Sequence, residues 1–187
     1  YILYVPSRTG FYSWELIPPP NPEMSDMRFV KGTETRGVGH GGLRDLNVRG
    51  LPLVKPPYGR LSAIDLDRGT ILWQTAHGET PDRVKNHPAL AGIDIPRTGE
   101  SCIHLIGPLI TKTLIVMGEC GYHRTSAGRG AMLRAYDKTT GQEVGAVFMP
   151  APQSGSPMTY IVDGEQYIVL AISGRTYSGE YLAFKLP

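Results

Sequence analysis

The sequence predicts an all-β fold, a partial β-propeller of about two and a half four-stranded blades, on three observations. Its apolar segments are short, rich in Val, Ile, Leu and Tyr, and closed by Gly, Pro, Asp and Asn. Two of them, "LSAIDLDRGTILWQ" (61–74) and "LRAYDKTTGQEVGA" (133–146), share Ala-x-Asp, three residues, then Gly. Two independent anchors recur at almost one period: Pro108 to Pro157 is 49 residues and Ala135 to Ala183 is 48. A β-sandwich, which also uses many short strands, is the alternative.

Taken in order, strands are expected near 1–5, 59–65, 70–75, 107–111, 114–118, 131–137, 142–148, 157–162, 166–172 and 180–186. A helical turn fits 81–91, where Pro81 and Pro88 keep it short. Residues 1–58 read as a strand plus a long irregular loop, and 59–106 as a partial blade plus an insertion. Residues 107–148 read as a full blade, and 156–187 as a last, incomplete one. The insertion follows from Ala63 to Ala135, which is 72 residues, more than one period. Asp163-Gly164 is a hairpin turn signal. Pro108 and Pro157 stand at strand starts, where no ladder N–H is required.

In the repeated frame, Asp65 and Asp137 end a strand and can accept from backbone N–H groups of the turn that follows. Gly69 and Gly141 sit where that turn needs positive φ. Trp73 can wedge against a neighbouring blade, its indole N–H reaching a carbonyl. The second frame has Gly145 at that place. The expectation is a weaker contact between the last two blades, with Phe148 filling the gap.

Composition narrows the function classes. The net charge is +2 with no basic stripe, so a nucleic-acid partner is not expected. No apolar run approaches the ~20 residues of a membrane-crossing helix. The chain opens on "YILYVPS", without Met or a leader, and is expected to be a piece of a longer protein. Two and a half blades leave raw sheet edges, so missing blades or self-association are expected to cover them. If the hairpin turns at 111–113, Cys102 and Cys120 fall nearly opposite each other, as a disulfide requires.

The strings "PPYGRLSAIDLDRGTILWQ" (56–74), "LRAYDKTTG" (133–141), "SPMTYIVDGEQYIVLAISG" (156–174) and "YLAFKLP" (181–187) occur in that order. Together they resemble the C-terminal part of pyrroloquinoline-quinone (PQQ) dehydrogenases, in the membrane-bound glucose dehydrogenase-like branch. The resemblance covers most of 50–187 and is weak over 6–49. It implies an eight-bladed propeller with PQQ and Ca²⁺ near its axis, and oxidation of a sugar, polyol or other alcohol. Electrons would pass to a membrane quinone or a cytochrome, in the periplasm, where a Cys102–Cys120 disulfide would persist. The catalytic base and metal ligands would lie mostly upstream, so no catalytic or metal residue is assigned, and the chain alone is expected to be inactive. A non-catalytic propeller scaffold built from the same repeats is the alternative.

Three loops are candidates for the pocket wall by that resemblance: Pro57-Tyr58-Gly59, then "HLIGP" (104–108) with Ile106, Gly107 and Pro108, then "SPMTY" (156–160) with Thr159. Packing at the strand starts is the competing reading for each. Ile106 replaces a glycine usual in the family, the loop 118–130 is longer, Gly130 or Ala131 stands where an acidic residue is expected, and Arg175 where a histidine is. His40, in a Gly-rich stretch, and His123, between Tyr122 and Arg124, could line a cleft; His77, His87 and His104 show no helical metal-ligand spacing; all five read first as surface or loop residues. Asp45 and Asn47 are oxygen donors without a proposed site.

Overall fold

The computed structural model describes residues 1–10, 16–24, 26–32, 47–100, 102, 106–174 and 176–186. The chain forms two units, Tyr1–Thr9 with Lys55–Pro187, and Gly10–Val54. The larger unit carries three antiparallel sheets that repeat one blade plan, a partial β-propeller. It opens with β1 (Ile2–Arg8). The smaller unit follows, with β2 (Leu16–Ile17) paired to β3 (Val30–Lys31) and β4 (Asn47–Val48) paired to β5 (Leu51–Pro52). These two-residue strands fall where an irregular loop was expected; they are too short to show an alternating pattern. Positive φ at Arg49 and Gly50 closes the β4–β5 hairpin.

The first sheet has the order β1–β6–β7, with β6 at Gly59–Asp65 and β7 at Thr70–Ala76. A long connection then carries α1 (Asp82–Lys85) and a 3₁₀ turn at Pro88–Leu90. The second sheet contains β8 (Leu109–Ile110), β9 (Leu114–Gly118), β11 (Gly128–Asp137) and β12 (Glu143–Met149), each paired to the next. The short β10 (His123–Thr125) makes a hairpin with the start of β11. The third sheet runs β13 (Met158–Val162), β14 (Glu165–Gly174), β15 (Tyr177–Lys185). Asp163 (φ 53) and Gly164 (φ 80) form its first turn.

Ala63, Ala135 and Ala183 lie on β6, β11 and β15, opposite Tyr4, Val116 and Val169 of the preceding strand. That register makes the second sheet a full blade. Among the described residues, the first sheet has no counterpart of β8 and the third none of β12.

The repeated frame has one geometry in both copies. Asp65 Oδ1 accepts from the N–H of Asp67 and Arg68; Asp137 Oδ1 accepts from Thr139 and Thr140. Gly69 and Gly141 take φ of 67 and 73, and each donates its N–H to the carbonyl of the frame Asp. The Trp73 indole N–H donates to the Lys138 carbonyl at 3.2 Å. A Cβ on Gly141 would stand 2.4 Å from the Trp73 ring. Trp73 of one blade is therefore seated on the second frame's turn, and Gly141 is the floor of that seat.

The expectation for Gly145 is corrected. Nothing lies within 4 Å of a Cβ built there, while the Phe148 ring rests on Gly130. Successive residues of a strand face opposite sides, so Phe148, three positions on in an unbroken register, lies on the other face of the sheet from Gly145. The gap remains as a groove of about 590 Å³ floored by Val116, Leu133, Ile168 and Phe184. Contact between the last two blades is nevertheless the more extensive one. Eight buried residues, among them Met149, Ile168, Leu170 and Ile172, fill it, against Leu61, Ile115 and Tyr136 between the first two.

Candidate functional site

The β7–β8, β9–β10 and β12–β13 connections meet at one end of the blades, where buried polar residues collect. Gln153 ties them together: its amide donates to the Gly107 and Gly155 carbonyls, and its Oε1 accepts from Gly118 N–H.

His77, just past the end of β7, is fully buried. Its Nε2 faces the Gly118 carbonyl at 3.0 Å, so that nitrogen carries the proton and Nδ1 accepts from the Tyr136 hydroxyl at 2.9 Å. Burial pushes its pKa down to about 4, so the ring is neutral at pH 7. Burial likewise raises the Tyr136 hydroxyl, which stays protonated as a donor.

Beside it runs a charge chain. Arg134 donates to Glu119 Oε1 from Nε at 2.8 Å and Nη2 at 2.6 Å, and from Nη1 to both oxygens of Glu143. Arg97 caps Glu143 at 2.6 Å. Glu119 is completely buried, and its other oxygen accepts the Met132 N–H. Burial lifts its pKa against the pull of Arg134. Glu79 Oε2 lies 3.8 Å from Arg134 Nη2 as well, so two cations meet three carboxylates in one structural network.

The third cluster surrounds the bridge between Cys102 and Cys120, whose Cα atoms are 5.8 Å apart. Glu100 is 3% exposed. Its Oε2 accepts from the N–H of Cys120 and Gly121, at 2.9 and 3.2 Å, and Oε1 is paired with His123 Nε2. Burial alone would lower the His123 pKa; the hydrogen bond and charge of Glu100 outweigh it and hold the imidazole above its usual value. His123 Nδ1 has no partner among the described residues. Cys120 Sγ lies 3.3 Å from Glu100 Oε2, a contact without a proton while the disulfide is closed. Among the described residues, Glu100, Cys102 and Cys120 form the one group of metal-competent side chains, and a single carboxylate with two sulfurs does not suit Ca²⁺.

The residues singled out for a pocket wall lie mostly at this end, with partners inside the chain. Tyr58 is buried, its N–H donating to the Thr98 carbonyl. A Cβ on Gly59 would collide with the Glu100 carbonyl at 2.1 Å, and one on Gly107 with Ser156 Oγ at 2.3 Å. Ile106 packs with Met117, beside Cys120. Pro108 is half-buried, and Thr159, exposed on β13, donates to the Tyr167 carbonyl. His77 and His123 are buried rather than on the surface, because each has a fixed polar partner. His87 accepts from Ala89 N–H, and Asn47 lies in β4. His40, Asp45, His104 and Arg175 lie outside the described residues.

Glu100, Glu119, Arg134 and Gln153 are organising residues that motif reading passed over. The available signal was charge in apolar surroundings: Arg134 interrupts "AMLRAY", and Glu119 follows the apolar run "LIVMG".

Residues 18–168 match the family model described as "PQQ: Glucose/ethanol/alcohol dehydrogenase, beta-propeller domain". A probable quinate dehydrogenase (quinone) of Xanthomonas campestris pv. juglandis is 33% identical over 77% of this chain and 18% of its own length. Quinoprotein glucose dehydrogenase of Escherichia coli K12 is 29% identical over 92% of this chain and 22% of its own length. Quinate/shikimate dehydrogenase (quinone) of Acinetobacter baylyi is 27% identical over 74% and 16%. The chain thus spans about a fifth of the curated relatives it matches.

Proposed function

Because the chain belongs to the PQQ-dependent glucose/ethanol/alcohol dehydrogenase β-propeller family, we propose that it is the C-terminal propeller segment of a dehydrogenase that oxidises a sugar, polyol or other alcohol. Electrons pass to a quinone or a cytochrome, and the enzyme works in the periplasm. The observation that carries the reading is the family match across 18–168. Relatives named for glucose and for quinate both support a polyhydroxylated substrate. The disulfide supports an oxidising compartment.

PQQ, when bound, supplies the two-electron oxidation. Gly59, Ile106 and Gly107 are occupied by contacts within the chain. Among the described residues, these positions therefore do not form a cradle for a flat quinone. The chain's own task is to hold one end of two blades rigid, through His77, Gln153 and the Glu119–Arg134 pair. The base, Ca²⁺ and most cofactor contacts belong to the blades outside it.

The test is dye-linked oxidation by the whole protein of which this chain forms part, loaded with PQQ and Ca²⁺, over a panel of sugars, cyclic polyols and simple alcohols. Turnover of at least one polyol class is expected. No turnover on any of them, with the propeller folded, would favour a scaffold instead.

A further inference from the structure

Three side chains suited to a soft divalent metal converge where the β7–β8 connection meets the β9–β10 turn, and a fourth, His123, touches the carboxylate among them. Glu100 Oε2 and the sulfurs of Cys102 and Cys120 lie within 4.8 Å of one another. His123 Nε2 meets the other oxygen of the same carboxylate. We propose that, once the disulfide is reduced, Glu100, Cys102, Cys120 and His123 bind one Zn²⁺, so that a metal replaces the covalent bridge as the staple of this loop.

The donor set is the first argument. Two thiolates, an imidazole and a carboxylate match the sulfur, nitrogen and oxygen ligands of tetrahedral zinc, and they do not suit a hard cation such as Ca²⁺. Distances are the second. A tetrahedron with Zn–S bonds of ~2.3 Å has edges of about 3.3–3.8 Å. The Cys120 Sγ to Glu100 Oε2 separation is already 3.3 Å. Opening the sulfur pair to such an edge needs side-chain rotation on Cα atoms 5.8 Å apart.

Preorganisation is the third argument. Glu100 and His123 are each 3% exposed. The Glu100 carboxylate is aimed by two backbone N–H groups, and its own N–H is held by the His77 carbonyl. His123 is fixed in β10 opposite Gly130. Both cysteines are only half-buried, which leaves a route for reductant and metal.

The chemistry balances. A dithiol supplies two electrons and two protons to the Cys102–Cys120 bond and leaves as its own disulfide. Zinc then displaces the two thiol protons and the proton shared by Glu100 and His123. None of this depends on PQQ or on turnover.

The experiment reduces the purified protein with dithiothreitol, removes the reductant without air, and titrates with Co²⁺ as a spectroscopic stand-in. A thiolate-to-cobalt charge-transfer band and tetrahedral ligand-field bands are expected, saturating at one metal per chain and abolished by Zn²⁺. Unreduced protein should show neither. Zn²⁺ should also raise the melting temperature of the reduced protein, a readout that needs no variant. Glu100→Gln and Cys102→Ser, checked for folding by circular dichroism, should each weaken Co²⁺ by more than about tenfold, since even outer-shell losses reach that size. Reduced protein without the bands, or Glu100→Gln binding as tightly as the parent, would overturn the proposal.

Discussion

His77 illustrates how a single residue acquires a role from its surroundings. Its folded pKa, about 4, lies below the 6.5 of an exposed imidazole, so the unfolded chain binds the extra proton first. The stability contributed by neutral His77 is complete above about pH 6.5 and is lost as pH falls towards 4, by roughly 3 kcal/mol in all. His77→Gln keeps a donor for the Gly118 carbonyl but cannot titrate. Urea unfolding at several pH values should show a shallower decline for the variant across that window, and parallel curves would remove His77 from the account. Glu119 makes the complementary case. Its charge is buried against Arg134, which keeps Glu143 when Glu119 is lost, so Glu119→Gln should cost about 1.5–3 kcal/mol, the size of a charged hydrogen bond, measured by denaturant titration. Neither role was legible in the sequence. A histidine after a strand and a glutamate after "LIVMG" acquire partners only from segments 59 and 15 residues away.

At the scale of elements, the frame was legible almost in full. Asp, Gly and Trp at fixed offsets describe a local turn and one projecting ring, and local geometry follows from local chemistry. The ten main strands fall where short apolar runs and the turn residues that bound them place them. The groove at Gly145 was not legible, because what fills a gap is decided by how the next sheet is set. Gly145→Trp should place an indole in that groove and stabilise the protein by about 1–2 kcal/mol through apolar burial. A lower melting temperature would show the groove too narrow for a ring. Gly141→Ala should do the opposite. It strains positive φ and drives a methyl into the Trp73 ring, so a loss of about 2 kcal/mol is expected from thermal melts.

For the whole molecule, the edge of β15, unpaired among the described residues, and the three-stranded outer sheets matter most. Tyr181 on that edge is 80% exposed. An open edge with an exposed aromatic favours association. Sedimentation should show concentration-dependent oligomers that Tyr181→Lys shifts towards monomer; a monomer at every concentration would mean the edge is guarded. The disulfide acts at this scale too. It closes a loop of 18 residues, so reducing it in metal-free protein should lower stability by about 3 kcal/mol on a chain-entropy estimate.

By itself the sequence determined the strand plan, the blade period, the docking frame and the family, because each is written in residues close together or spaced by a constant repeat. The tertiary structure alone decided the rest: which polar residues are buried, that Glu100 and His123 flank the disulfide, and that Phe148 leaves Gly145 uncovered. The physical reason is separation along the chain. Burial and charge pairing join residues that are distant in the chain, within one blade for Glu119 and Arg134 and between two for His77 and Tyr136, and no local pattern records which partner a side chain will meet.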